Sequence, residues 1–308
     1  MVYHVNKNNP KAAFTLSEVL ITLGIIGIVA ALTIPALINN ANDRKYRGAR
    51  QKALATIGGA VRNITVTEGI GNAVDAEDFV ENHLRKQIQI VKTCKNNDLR
   101  SCGIETDTDA ITRLSEPKIK VTMPKKIGDL ATGISDGETI DVNSTSYGFV
   151  MSNGYSVNLF YNPNCLSDKL NESHLGQDRV CVNAIYDMNG LARPNEVGKD
   201  IGFVTVLYPD INVVSVAPEI YKENIDSVDF DNALKSCQNL DNNLSVPDRN
   251  ELLSMYYNTN ILGMQAVSYW SSSEDSTGTG LSWNQYFFNG YRYRTSRSIS
   301  TSLRCIRR

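Results

Sequence analysis

Six cysteines, three histidines and one carboxylate at the mouth of an apolar run are the groups whose type and spacing could do chemistry. The cysteines are Cys94, Cys102, Cys165, Cys181, Cys237 and Cys305. No CxxC pair occurs among them and the histidines do not cluster, so their spacing argues against a zinc site. Six cysteines allow fifteen connectivities. The favoured set is Cys94–Cys102, Cys165–Cys181 and Cys237–Cys305. The first two close short loops, and the third ties the ends of a C-terminal module. His4, His83 and His174 have no cysteine or serine partner at catalytic spacing, and no phosphate-binding loop or zinc signature is present. Enzyme chemistry is therefore not expected.

Oxygen ligands are a second possibility. Tyr186-Asp-Met-Asn-Gly-Leu-Ala-Arg-Pro-Asn-Glu-Val-Gly-Lys-Asp200 carries Asp187, Asn189 and Asp200, which offer the hard oxygens calcium takes. The ligand count falls short of an EF-hand. The competing reading is a tight turn, with Asn-Gly supplying positive φ and aspartates bonding local backbone. Calcium is the one cofactor these residues raise.

The third candidate is a surface. From Trp283 to Arg308 there are six arginines, no lysine and no acidic residue. Tyr286, Tyr291 and Tyr293 interleave with them. Tyrosine, serine, asparagine and arginine make adaptable binding surfaces. The expected ligand contacts are Asn284, Tyr286, Asn289, Tyr291, Arg292, Tyr293, Arg294, Ser296 and Ser298. A solvated edge hairpin is the plainer alternative. A net charge of −2 over 308 residues gives no global case for a nucleic-acid partner.

These groups must be carried by something, and the N-terminus says where. Val19–Leu37 is 19 residues without a charge, close to the ~20 a membrane-spanning helix needs. Lys7 and Lys11 precede it, which leaves the N-terminus in the cytoplasm and sends the remainder outside. The run is longer than the ~7–15 residues of a signal-peptide core, and no clear small-x-small cut site follows it. Either a signal anchor or a secretory signal would export the chain, and exported cysteines are expected as disulfides.

Ala13-Phe14-Thr15-Leu16-Ser17-Glu18, followed by the apolar run with Pro35 inside it, resembles the N-terminal signature of type IV pilins and type II secretion pseudopilins. That resemblance implies cleavage between Ala13 and Phe14 by a prepilin peptidase and methylation of the new N-terminus. Glu18 is then fifth in the mature chain and Pro35 twenty-second, the family's glutamate and helix-kinking proline. Ala13 departs from the usual glycine but is also small, which implies slower or atypical processing rather than none. Glu18 would pair with the amine of Phe14 on a neighbouring subunit, since an ionisable group at membrane depth needs a partner. Thr15-x-x-Glu18 is also a capping box, a purely local role.

Beyond the span, Ala41–Ile64 continues at helical spacing, with Tyr46, Ala49, Ala53, Leu54, Ile57, Val61 and Ile64 on one side. One helix from about Thr15 to about Val66 would be roughly 75 Å long, weakened at Gly58-Gly59. Asp75–Val91 reads as a second helix capped by Asp75, its core stripe being Phe79, Val80, Leu84, Ile88 and Val91. His83 falls on its solvated side. Thr93–Glu116 reads as loop. From Ile119 the period becomes two: Ile119–Met123, Tyr147–Met151, Tyr155–Tyr161, Val180–Tyr186 and Phe203–Leu207, with Asn153-Gly154 as a hairpin turn. Pro209–Val228 reads as a linker.

The C-terminal pieces are a helix at Asp229–Leu240, Ser245–Leu253, Ser268-Tyr-Trp-Ser-Ser-Ser-Glu274, Trp283–Gly290 and Leu303-Arg-Cys-Ile-Arg307. In that order they resemble the Lcl-type C-terminal domain and its relatives of the C-type-lectin fold. Val246 departs from the usual leucine. The resemblance implies binding rather than catalysis, with Tyr269, Trp270 and Trp283 mostly core and Glu251 and Glu274 structural. Trp283…Phe287-Phe288-Asn289-Gly290…Arg304-Cys-Ile-Arg also resembles the frame of lectin-fold proteins diversified by retroelements. Its candidate variable positions are Asn284, Tyr286, Asn289, Tyr291, Tyr293, Thr295, Ser296, Ser298, Ser300 and Thr301.

The expected fold is α+β: a long N-terminal pilin helix packed on an antiparallel sheet, followed by a C-type-lectin-like α+β module. The expected segments are a leader (1–13), an assembly helix (14–67), a pilin-like head (68–222) and a ligand-binding domain (223–308). The expected protein is a pilin or pseudopilin-like subunit that anchors in the bacterial inner membrane. It then joins a cell-surface pilus or periplasmic pseudopilus. Its partners would be other pilin subunits, a prepilin peptidase and an unknown protein or glycan ligand. The alternative is a structural minor pseudopilin of a type II secretion system with no ligand of its own.

Overall fold

A computed structural model describes residues 15–104, 145–163, 179–192, 197–208, 213–214, 224–277, 280–288 and 290–307. It divides into two compact units, one ending at Arg47 and one running from Gly48 to Arg308. The α+β expectation holds: helices combine with largely antiparallel sheets.

Helix α1 covers Leu16–Ala53 and contains Pro35. A π-helical stretch, Leu54–Gly58, separates it from α2, Gly59–Thr67. The π stretch falls where Gly58-Gly59 weakens the ladder, and it takes the usual form of a single-turn π-bulge inside an α-helix. The first unit contains the apolar part of α1, whose leucine, isoleucine and valine side chains between Leu16 and Ile38 are exposed.

In the second unit, six antiparallel strands run in sequence order: β1 (Ile90–Cys94), β2 (Thr145–Met151), β3 (Ser156–Tyr161), β4 (Arg179–Asp187), β5 (Ile201–Tyr208) and β6 (Val213–Val214). Between β2 and β3, Gly154 takes φ +87°, and the Tyr155 N–H donates to Asn153 Oδ1 at 3.2 Å. That is the Asn-Gly hairpin turn the sequence signals.

Register sorts each strand onto two faces. Tyr147, Leu159, Ala184 and Val204 form one cross-strand row, and all four lie in the core that holds Ile57, Val61 and Phe79. Phe160, Asn183 and Thr205 form the next row, on the rear face. Every residue of β3 is buried, because both faces are covered. Each large apolar side chain so buried contributes about 1.5–3 kcal/mol.

Three expectations are corrected here. The predicted helix over Asp75–Val91 does start at Asp75, whose carboxylate accepts from the Asp78 N–H at 2.8 Å. It then breaks into α3 (Ala76–Asp78), a π turn at Phe79–His83 and a 3₁₀ turn at Leu84–Lys86. Val91 belongs to β1 and is exposed: it falls at the bulge between Ile90 and Lys92, both of which pair with β2. His83 is half-buried rather than freely solvated: its Nδ1 lies 2.5 Å from Glu68 Oε2. The expected linker contains strands, β6 on the first sheet and β7 (Ile225–Val228) on the second.

The second sheet runs β11-β10-β9-β12-β7, with β9 Ser268–Glu274, β10 Leu281–Tyr286, β11 Tyr291–Ser296 and β12 Thr301–Leu303. A two-stranded ladder joins β8 (Leu244–Ser245) to β13 (Ile306–Arg307). Helix α4, Phe230–Leu240, is capped by Asp229. Helix α5, Arg249–Tyr257, opens on a full capping box between Asp248 and Glu251. A short helix, α6, follows at Thr259–Leu262. Trp270 is fully buried against Phe230, and its indole N–H donates to the Val228 carbonyl at 2.8 Å.

Disulfides join Cys94 to Cys102 and Cys237 to Cys305. Cys181 is also disulfide-bonded, and its expected partner, Cys165, lies outside the described residues. The expected Ile119–Met123 strand, Ala13, Phe14 and Asn289 lie outside them too.

Candidate functional site

The start of α1 is built by two residues. The Thr15 N–H and hydroxyl both donate to Glu18 Oε2, at 2.9 and 2.8 Å, and the Glu18 N–H returns a bond to Thr15 Oγ1 at 3.2 Å. This reciprocal capping box satisfies donors that the first helical turn leaves open. It also holds the carboxylate at the head of Leu16–Pro35, a stretch of 20 residues and mean hydropathy 2.2, long and apolar enough to cross a membrane.

The second site is the β10–β11 hairpin. Asn284 opposes Tyr293, Gln285 opposes Arg292, and Tyr286 opposes Tyr291. Asn284, Tyr286, Tyr291 and Tyr293 therefore share one face of the ladder, and Arg292, Arg294 and Ser296 share the other. Tyr286 is 36% exposed and stacks on Phe288, which is 65% exposed, with ring centroids 5.9 Å apart. Tyr291 and Tyr293 are half-buried, and the Tyr293 hydroxyl lies 2.8 Å from Ser268 Oγ. Asn284 and Arg292 are buried, each 2% exposed. Arg294 is exposed, pairs with Asp275 at 3.3 Å and sits 5.7 Å from the Trp283 ring, over which Arg249 also stacks at 5.0 Å. Ser296 and Ser298 bond one another at 2.8 Å, and Ser298 is exposed. Arg297 lies over Phe230 and bonds Ser282 and Glu274.

Of the nine expected ligand residues, Asn289 lies outside the described residues and the other eight divide. Tyr286, Arg294 and Ser298 are exposed, and Tyr291, Tyr293 and Ser296 are half-exposed. Asn284 and Arg292 sit in the interior. Phe288, the most exposed aromatic side chain of the hairpin, was not among them. Its pairing with another aromatic at i−2 across a strand end was the available signal.

Asp187 Oδ1 accepts from the Asn189 N–H at 2.9 Å, and Gly190 takes φ +61°. Asp200 is fully buried, and its carbonyl accepts from the Met188 N–H at 2.9 Å. These are the contacts of a tight turn. Among the described residues no group of three His, Cys, Asp or Glu side chains converges as a metal site.

Sequence reading also missed a buried polar cluster, Asn183, Thr205, Ser254 and Asn258. An asparagine and a threonine amid apolar strand residues, in Val180–Tyr186 and Phe203–Leu207, were the signal that could have found it.

An apolar N-terminal helix headed by a capped carboxylate invites comparison with known signals. Residues 8–34 match the prokaryotic N-terminal methylation motif. That motif, of the type IV pilin prepilin kind, covers the capping box and most of the apolar run. It implies processing by a prepilin peptidase and assembly with other pilins. With the apolar helix, it is consistent with membrane anchoring before assembly. It points to a structural subunit rather than an enzyme. No curated protein matches the chain.

Proposed function

We propose that this chain is a minor-pilin or pseudopilin-like subunit that polymerises through α1 and displays its C-terminal module as a binding surface. The observation that carries the first half is the methylation motif lying over a helix with Glu18 capped at its head. In the membrane, Thr15 keeps that carboxylate hydrogen-bonded. On assembly, the methylated amine of Phe14 from a neighbour becomes its charge partner, which lowers the cost of an ionised group in an apolar core. Pro35 sits where the family carries its helix-kinking proline.

What supports the second half is the exposed Tyr286–Phe288 pair beside Tyr291 and Tyr293. Stacked aromatics with hydroxyls at their rim present rigid, amphipathic contact area at small entropic cost. A lectin-fold module diversified by a retroelement would vary residues on this hairpin. A protein or glycan is the ligand class this surface suits. The second reading, a structural pseudopilin without a ligand, draws support from the shared core of the C-terminal residues and the first sheet.

Mass spectrometry of the assembled protein tests the first half. The expected N-terminus is N-methylated Phe14, and Glu18→Val leaves the subunit in the membrane but out of filaments. A chain still carrying residues 1–13 within filaments defeats the reading. Gene neighbours test diversification: an adenine-rich near-copy of the Trp283–Arg308 coding segment beside a reverse transcriptase is expected, and its absence removes that part.

A further inference from the structure

The rear face of the six-stranded sheet is the base on which the C-terminal residues are built. Phe160, Ile185 and Phe203 from that face share one buried cluster with Leu252, Tyr256 and Phe287. Inside the cluster sits the polar network missed by sequence. Asn183 Nδ2 donates to Asn258 Oδ1 at 3.1 Å, and Asn258 Nδ2 donates back to Asn183 Oδ1 at 3.2 Å. The Thr205 hydroxyl donates to Asn183 Oδ1 at 2.8 Å and lies 2.6 Å from Ser254 Oγ. All four side chains are 2% exposed or less. Asn258 Nδ2 also donates to the Ser254 carbonyl at 2.8 Å, which ties its amide to α5.

Among themselves the C-terminal residues pack a cluster centred on Phe230, Cys237, Trp270 and Leu303, and the rings of Tyr256 and Tyr269 against Phe287. Separated from the sheet, Leu252, Tyr256 and Phe287 would lose the cover that Phe160, Ile185 and Phe203 supply. Four buried polar side chains would each lose a partner, and a polar group left dry and unpaired is destabilising. An apolar contact alone tolerates sliding. A reciprocal amide pair is satisfied in one register only, which is how buried polar groups select a unique packing.

We propose that residues 224–307 are not a tethered domain but fold only on the rear face of the pilin-type sheet, with the Asn183–Asn258 amide pair as the pin that fixes their orientation. A pull on the β10–β11 surface then reaches β4 and β5 through the shared cluster and the amide pair. This does not depend on any ligand being bound there, and it extends to the structural reading as well.

Native-state hydrogen exchange on the full chain in detergent micelles, across a urea series, tests it. The expected result is one shared opening for the amides of β4–β5 and of α5–β9. In Asn258→Ala, protection at β4–β5 falls about tenfold or more along with that at α5–β9. Ser254→Ala, a milder change, gives the same joint fall at smaller size should Asn258→Ala not fold. Loss of protection confined to α5–β9 in either variant, or two separate urea dependences in the wild type, overturns the proposal.

Discussion

His83 Nδ1 lies 2.5 Å from Glu68 Oε2, and this contact joins the C-terminal end of α2 to the turn that leads into β1. Lys86 Nζ stands 3.5 Å from the other carboxylate oxygen. The bond from His83 is the main reason the Glu68 carboxyl is held below its ordinary value of 4.5, with the charge of Lys86 helping.

A pH dependence follows with a definite sign. A carboxyl whose folded pKa is depressed adds stability above its unfolded pKa, and that contribution fades as pH falls through the folded value. Urea midpoints taken from about pH 7 down to about pH 3 are expected to fall more steeply for the wild type than for Glu68→Gln. Parallel slopes would show that the contact is screened into irrelevance, the common fate of exposed pairs.

Tyr161 fixes the loop after α2. Its buried hydroxyl donates to the Ile70 carbonyl at 2.5 Å and to that of Ala73 at 3.2 Å, and its ring stacks on Phe79 at 4.6 Å. Burial pushes the phenol up to about 12. Tyr161→Phe keeps the stack and orphans both carbonyls, so a loss of about 1–3 kcal/mol in urea unfolding is expected. A loss under a few tenths would mean that water takes over the bonds.

How much of this was legible beforehand depends on the signal each residue sends. Strands β2 and β3 were readable because apolar residues recur at every second position and Asn153-Gly154 punctuates them, and β4 and β5 because they are short apolar runs rich in β-branched residues. The start of α1 was readable because Thr15-x-x-Glu18 is a local pattern. The break after Asp78 was not, since Phe79, Val80 and Leu84 fit a helix until β1 claims Ile90 for the sheet. The burial of Arg292 and Asn284 was invisible for a related reason. The two lie on opposite faces of the β10–β11 ladder, so each is covered by elements distant in sequence, and no spacing within residues 283–308 encodes that.

The Cys237–Cys305 bridge closes a loop of 68 residues, with both sulfurs in the core around Trp270. By chain entropy a loop of that size adds about 4 kcal/mol. Cys237→Ser with Cys305→Ser is expected to lower stability by that order. Because the C-terminal residues share a core with the sheet, the loss should appear in the unfolding of β4–β5 as well. A loss felt only beyond residue 224 would argue for two separate cooperative units.

The β10–β11 hairpin makes opposite predictions for its two kinds of residue. Tyr286 and Phe288 are exposed and stack on each other, so Tyr286→Ser with Phe288→Ser leaves the melting temperature close to the wild type. Surface changes of this sort are usually within about 0.5 kcal/mol. Arg292 and Asn284 are buried, so Arg292→Ser or Asn284→Ser destabilises by more than about 1 kcal/mol. If the hairpin binds a ligand, adhesion of filament-bearing cells should fall at least tenfold with the exposed pair changed, at unchanged filament number. The same contrast bears on diversification: natural variants would spread over Tyr286, Tyr293, Ser296 and Ser298 and spare Arg292. Variation concentrated at Asn284 and Arg292 instead would mean that the surface facing solvent is not the one under selection.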